Sequence, residues 1–259
     1  MNDRTAGRKI AVIAAVTFAI MVPALQALTG WGQTAAEFSD DGNQTLRAAG
    51  YAFSIWGVIY AGLALYAVFQ ALPGRAEPHL MASVGWPSAV ASLGCGLWII
   101  ASAADLDWAT VVIILVSAGA MTWGLIVARA RDLGLVGLSR YLVVWPLGLL
   151  AGWLTVASAV NILTVLTAQG VIDPAQPLAP ALAGVGITTL IAALVAERMK
   201  VPTYGLAVAW GLAAVGVAEW GPKPLVGGAA YVGAGLILIL TAWLALRRKP
   251  FSPYGITDR

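Results

Sequence analysis

Apolar residues run through this chain in long blocks, and the polar residues collect in short stretches between them. The blocks cover residues 10–28, 50–70, 81–103, 108–128, 142–166, 178–196, 201–218 and 225–246. Each fits the roughly 17–25 residues that carry an α-helix across a bilayer. The pattern predicts an all-α fold, a polytopic membrane helix bundle of about eight transmembrane helices. The breaks between blocks carry stop signals: Pro73-Gly74, Asp105 and Asp107, Arg129 with Arg131 and Asp132, Glu197 with Arg198 and Lys200, and Glu219 with Lys223. Pro146 falls inside the fifth block and should kink it, while Pro180 sits in the first turn of the sixth, where proline is tolerated. The first block follows Arg4, Arg8 and Lys9 as a signal peptide would, but its apolar core is long and no small-x-small site follows it. A retained first helix is expected.

Composition gives the same class. Hydrophobic residues make up 60% of the chain and charged residues 10%, with a mean hydropathy of +0.84. A soluble domain carries about 25% charged residues. The net charge of +3 is explained by topology, so no nucleic-acid partner is expected. With the N-terminus placed in the cytoplasm, thirteen of the 15 basic residues fall on the cytoplasmic side, and only Arg47 and Lys223 fall on the other. That bias is the known orientation rule. It predicts both termini in the cytoplasm and, for a bacterial protein, residence in the inner (plasma) membrane. One cysteine (Cys95) and one histidine (His79) allow no disulfide and no ordinary structural zinc site. No metal and no resident cofactor are expected.

The aromatic residues add a second pattern. In the block 50–70, Phe53, Trp56 and Tyr60 lie three and four apart and share one helix face. They either pack against neighbouring helices or form the wall of a ligand pocket. Trp31, Trp108 and Trp220 fall at outer helix ends, and Trp86 and Trp243 near inner ones, as interfacial rings do. Trp56, Trp98, Trp153 and Trp210 lie deeper, where an indole N–H needs an acceptor or a polar cavity. Asn161 shares the fifth block with Trp153, Thr155 and Ser158, at a depth similar to Trp56 and Trp98. It serves either as a polar link between helices or as part of a pocket. The polar stretch 30–45, with Glu37, Asp40 and Asp41, is long enough to act as a functional cover.

Three blocks resemble the TspO/MBR family, the tryptophan-rich sensory proteins related to the mitochondrial translocator protein. GYAFSIWGVIY at 50–60 is similar to the family's helix-two block. CGLWII at 95–100 is similar to its helix-three block, and GWLTVASAVN at 152–161 to its helix-five block. The likeness covers about residues 10–166. Ser54-Ile55 stands where many members have Gly-Pro-x, one residue longer, Cys95 stands in place of an Asn, and Pro146 is further from Trp153 than is usual. This describes a divergent, extended member: residues 1–168 form the five-helix TspO-like unit, and 169–259 add three transmembrane helices and a basic tail. The resemblance implies a cavity for flat hydrophobic molecules, tetrapyrroles (porphyrin or haem) and sterols among them. It assigns ligand binding to Phe53, Trp56, Tyr60, Trp98, Trp153 and Asn161 in the outer half of the bundle, roofed by the 30–45 loop.

Other chemistry is poorly supported. No charged residue lies in the core of an expected span, which disfavours an ion or proton relay. No nucleophile–base pair or paired carboxylates lie at membrane depth, so no catalytic residue and no enzyme is expected. The function expected is a membrane receptor or sensor for a hydrophobic planar ligand. The alternative is a carrier of a small apolar or weakly polar solute that uses the last three helices as a moving half. The partners are the lipid bilayer and that ligand, with a homodimer as a further candidate. Ser88, Ser92 and Gly96 form one small-residue ladder, and Gly148 and Gly152 a second. Each serves either packing within the chain or, for the first, a dimer.

Overall fold

The computed structural model describes residues 3–35, 37–38, 44–74, 77–133 and 137–247. Asp40, Asp41, Arg75, Arg248, Lys249 and Arg259 lie outside the described residues, as does the side chain of Arg4. Eight long helices follow one another: α1 (Asp3–Thr29), α2 (Ile55–Ala71), α3 (Pro78–Ala103), α4 (Asp107–Ala130), α5 (Trp145–Ala168), α6 (Leu178–Met199), α7 (Pro202–Glu219) and α8 (Pro224–Leu246). There is no strand among the described residues. Proline opens α3, α7 and α8, where its fixed φ suits the first turn and its missing N–H costs nothing. Gly30 ends α1 at a φ of 66°, which a side chain would strain.

Among the described residues, seven stretches are long and apolar enough to cross a membrane, and the chain is an integral membrane protein. α7 is the long helix outside that set. Glycines, Tyr204 and Glu219 dilute its apolar character, yet it is deeply buried: Tyr204, Ala207, Val208 and Ala214 are all fully enclosed. The sequence alone cannot separate a lipid-facing span from a helix surrounded by other helices.

α7 packs along α5 through small residues. A Cβ on Gly152 would meet the carbonyl oxygen of Tyr204, one on Gly148 would meet Val201 and Thr203, and one on Gly211 would meet Val156. Thr203 Oγ1 donates to Trp145 O at 2.7 Å, and the Thr155 and Tyr204 hydroxyls are 3.2 Å apart. Buried apolar residues from α1 through α8 form one continuous core.

The same logic explains the ladder on α3. Ser88 and Ser92 are fully buried, Gly96 faces the ring of Phe18 on α1, and Ser88 Oγ lies 2.7 Å from Tyr66 Oη on α2. Phe18 of α1 and Tyr66 of α2 reach this face, so the ladder takes part in packing within the chain, the first of the two uses its sequence allows.

Pro146 does not kink the interior of α5. The chain forms a π turn over Arg140–Val144, in which the Trp145 N–H reaches back to Arg140 O, and α5 begins at Trp145 with Pro146 in its first turn. The wider turn absorbs the proline's missing donor and the bulk of its ring. The start of the second span also differs from a plain α-helix. Residues Gly50–Ser54 are a 3₁₀ turn, and the carbonyl of Ala52 accepts the Trp210 indole N–H at 3.1 Å.

Candidate ligand cavity

All six residues predicted from the sequence line one cavity, near the end of the bundle where the loop between α1 and α2 lies. Phe53 comes from the 3₁₀ turn and Trp56 and Tyr60 from α2, so one stripe supplies a wall even though its first member precedes the α-helix. Trp56 stacks on Tyr60 at 5.1 Å, between centroids. Trp153 of α5, 4% exposed, meets Trp56 edge-on at 6.3 Å and Phe53 at 6.0 Å. Edge-to-face and offset pairs of this kind hold each ring's orientation, at about 0.5–1.5 kcal/mol per pair beyond area burial.

The opposite wall is tied by polar groups. Trp98 Nε1 on α3 donates to Asn161 Oδ1 at 2.6 Å, and Asn161 Nδ2 donates to Thr110 Oγ1 on α4 at 2.9 Å. Thr110 Oγ1 in turn donates to Asp107 O at 2.6 Å. Asn161 therefore both lines the cavity and joins three helices. Its amide is spent on protein partners, and the orientation of Trp98 depends on it.

Trp210 lies elsewhere. Its indole is bonded to Ala52 O and its ring packs on Tyr51 at 5.4 Å, on the outside of the bundle and away from the other deep tryptophans. From α7 it is Gly211 that lines the cavity. Depth along a helix is legible in a sequence, but the direction a side chain takes around the bundle depends on the neighbours.

Other cavity residues carry no signal at the level of family blocks. Phe38, from the loop, is 3% exposed and sits edge-on to Trp98 at 5.2 Å. It is positioned by a capping box, Thr34-Ala35-Ala36-Glu37: the Thr34 N–H donates to Glu37 Oε2 at 2.7 Å, and the Glu37 N–H donates to Thr34 Oγ1 at 3.2 Å. That four-residue pattern was readable in the sequence. Thr164 Oγ1, also at the cavity, is buried without a partner.

The loop is fastened on both flanks. Gln26 Nε2 donates to Gln33 O at 2.8 Å, and Gln33 Nε2 reaches Ser102 O at 3.1 Å and Asp105 Oδ1 at 3.0 Å. On the other flank, Glu219 Oε1 accepts the Arg47 N–H at 3.0 Å, and Glu219 Oε2 pairs with Lys223 Nζ at 3.0 Å. Lys223 Nζ also donates to Gln44 O at 2.8 Å and Thr45 O at 2.7 Å, and Thr167 Oγ1 donates to Thr45 Oγ1 at 2.7 Å. Glu219 is fully enclosed, a buried carboxylate that the hydropathy pattern places at a helix end.

The capping box should make the turn at 34–38 pH-sensitive. The Thr34 N–H stabilises ionised Glu37 and holds its carboxyl below the ordinary 4.5. A depressed carboxylate contributes order that is fully present above its ordinary value and is lost as pH falls through the lowered one. Amide protection of residues 34–38, corrected for intrinsic exchange, should therefore be flat from neutral pH to about 5 and fall in more acidic solution. Glu37→Gln should flatten that profile, and an unchanged profile would exclude the capping box as the ordering element.

The cavity is narrow and apolar. Its free volume is about 70 Å³, below the roughly 300–1,000 Å³ of pockets that hold drug-sized ligands. Among the described residues, no acidic or basic side chain lines it. A family model described as TSPO-like protein matches residues 9–243 of the chain. That span continues well past residue 166, where the likeness read from individual blocks stops, and takes in α6, α7 and most of α8. No curated protein and no solved structure matches the chain.

Proposed function

The chain belongs to the TSPO-like protein family, a family of membrane binding and sensing proteins, and from that premise we propose that it is a receptor for a planar hydrophobic small molecule. The observation that carries the reading is the convergence of Phe38, Phe53, Trp56, Tyr60, Trp98 and Trp153 on one uncharged cavity. Flat conjugated molecules gain most from such walls, because stacking adds to apolar burial and no charge has to be neutralised. Thr164 Oγ1 offers one polar contact inside. At the present free volume, a tetrapyrrole or sterol enters only if Phe38 and the loop give way, so the loop acts as the cover of the site.

The carrier reading requires the last three helices to move as a half. The glycine contacts between α5 and α7 and the ties from α7 to the loop favour a fixed buttress, so the receptor is preferred. On the charge bias alone we place both termini in the cytoplasm and the cavity toward the opposite face.

Protoporphyrin IX quenching of tryptophan fluorescence tests the proposal. Wild type should show saturable quenching. Trp56→Ala removes a stacked ring and its buried area and should weaken binding roughly ten-fold or more, at about 1.4 kcal/mol per decade. Trp243→Ala, whose ring lies under Arg247 at the far end of the bundle, should leave affinity unchanged. Salt should have little effect, since no exposed ion pair takes part. Identical curves for wild type and both variants would rule out this cavity as the site. Absence of quenching in wild type would remove tetrapyrroles as the ligand class.

A further inference from the structure

At the end of the bundle opposite the aromatic cavity, a shallow cleft lies between α4, the π turn before α5, and the junction of α6 with α7. Arg129, Arg140 and Lys200 line it above an apolar floor that includes Leu125, Val144 and Met199. Three independent features mark it. First, Arg140 Nε and Trp145 Nε1 are buried donors without a partner, although buried N–H groups are nearly always satisfied. Second, Arg140 opens the π turn, an irregularity that often accompanies function. Its guanidinium lies 5.5 Å from the Trp145 ring centroid and 5.7 Å from that of Tyr141, a geometry that holds the cation in place. Third, Lys200 caps α6 at a φ of 52°, a left-handed position that favours glycine.

The charge balance favours an anion. Asp132 is paired with Arg129, and the exposed Glu197 does not line the cleft. Among the described residues, no carboxylate lines the cleft beside Arg140 and Lys200. An inorganic anion needs only the basic rim. Leu138 and Tyr141, exposed beside Arg140, give an acyl chain an apolar track, and Trp145 is the ring type that sits at headgroup level. We propose that this cleft binds the phosphate group of an anionic lipid, with Arg140, Lys200 and Trp145 Nε1 on the phosphate oxygens and the acyl chain along the exposed Leu138 and Tyr141. Basic pockets between transmembrane helices are a recognised means of holding such headgroups.

The test uses the full chain in neutral detergent, with phosphatidylglycerol, phosphatidylcholine or inorganic phosphate added. Native mass spectrometry measures lipid retention, and the melting temperature reports folding. Wild type should retain phosphatidylglycerol over phosphatidylcholine. A cation near the membrane surface contributes about 1 kcal/mol, so Lys200→Gly should weaken retention about five-fold, and Arg140→Gln with Lys200→Gly about thirty-fold. Lys200→Gly also places glycine at the left-handed position, so it should melt no lower than wild type without lipid. That separates a lost site from a damaged fold. Arg198→Gln, exposed at the same end but outside the cleft, should retain lipid as wild type does. Equal retention of phosphatidylcholine, or undiminished phosphatidylglycerol retention by Lys200→Gly, would overturn the proposal. Stabilisation by inorganic phosphate equal to that by phosphatidylglycerol would overturn the lipid assignment and leave a site for free anions.

Discussion

Gly152→Leu is expected to yield no monodisperse folded protein. The Cα of Gly152 lies so close to α7 that even a methyl group would collide with the carbonyl oxygen of Tyr204, and Ala207 stands directly beside it. A backbone carbonyl held in the first turn of α7 cannot rotate away as a side chain can. α7 would have to leave α5, and the Thr203–Trp145 and Thr155–Tyr204 contacts would be lost with it. Core overpacking with the loss of a helix seam belongs to the rare class of substitutions costing about 4–5 kcal/mol or more. Gly57→Leu on α2, where nothing lies within 4 Å, is the matched control and should melt near wild type. Size-exclusion profiles and melting temperatures in detergent give the comparison. A Gly152→Leu protein that elutes and melts like wild type would show that the α5–α7 seam is not tightly closed.

Glu219→Ala is expected to destabilise the protein by about 3–5 kcal/mol, the usual loss when one partner of a buried ion pair is removed. Lys223, largely enclosed with a side chain 13% exposed, would keep its charge without a carboxylate. The Arg47 N–H would lose its acceptor. Glu219→Met with Lys223→Met should recover part of the loss, because a matched apolar pair removes the uncompensated charge. Recovery should be incomplete, since Gln44 O and Thr45 O lose the donor they share. Hydrogen exchange of residues 44–49 should accelerate in the single variant, while that of the α1–α4 amides changes less. If the double substitution is as unstable as the single, the stabilisation comes from shape at this junction and not from the paired charge.

These two results bear on the same question, what the last three helices do for the cavity. Nothing in the hydropathy of residues 169–246 ties them to it. In the structure α7 contributes Gly211 to the cavity wall, holds Ala49 through Ala214 O, and ends at Glu219, which latches the Arg47 end of the loop. Arg47 and Lys223, the two basic residues expected apart from the other thirteen, meet at that latch.

Much of the site was nonetheless legible. Helical spacing places Phe53, Trp56 and Tyr60 on one face, Trp98 and Asn161 match Trp56 in depth, and the likeness of the 152–161 block brings in Trp153, so the six residues could be grouped before any contact was known. Phe38 escaped because its orientation comes from a capping box within a polar loop, a signal that hydrophobic blocks do not carry. Trp210 was grouped with the others by depth, and it lies outside because its N–H found Ala52 O.

The number of long helices and the membrane class follow from the sequence alone, because lipid imposes a one-dimensional rule: a span must be apolar for its whole length and satisfy its backbone hydrogen bonds within itself. Tertiary structure decided which face of each helix meets which neighbour, that α7 is buried while its flanking helices face outward, and that Asn161 spends its amide on Trp98 and Thr110. Those choices rest on close contacts between residues far apart in the chain, Gly152 against Tyr204 and Glu219 against Arg47 and Lys223 among them. A glycine or a glutamate reads the same in the sequence whether it meets solvent or a backbone carbonyl a few ångströms away, and only the packed bundle distinguishes the two.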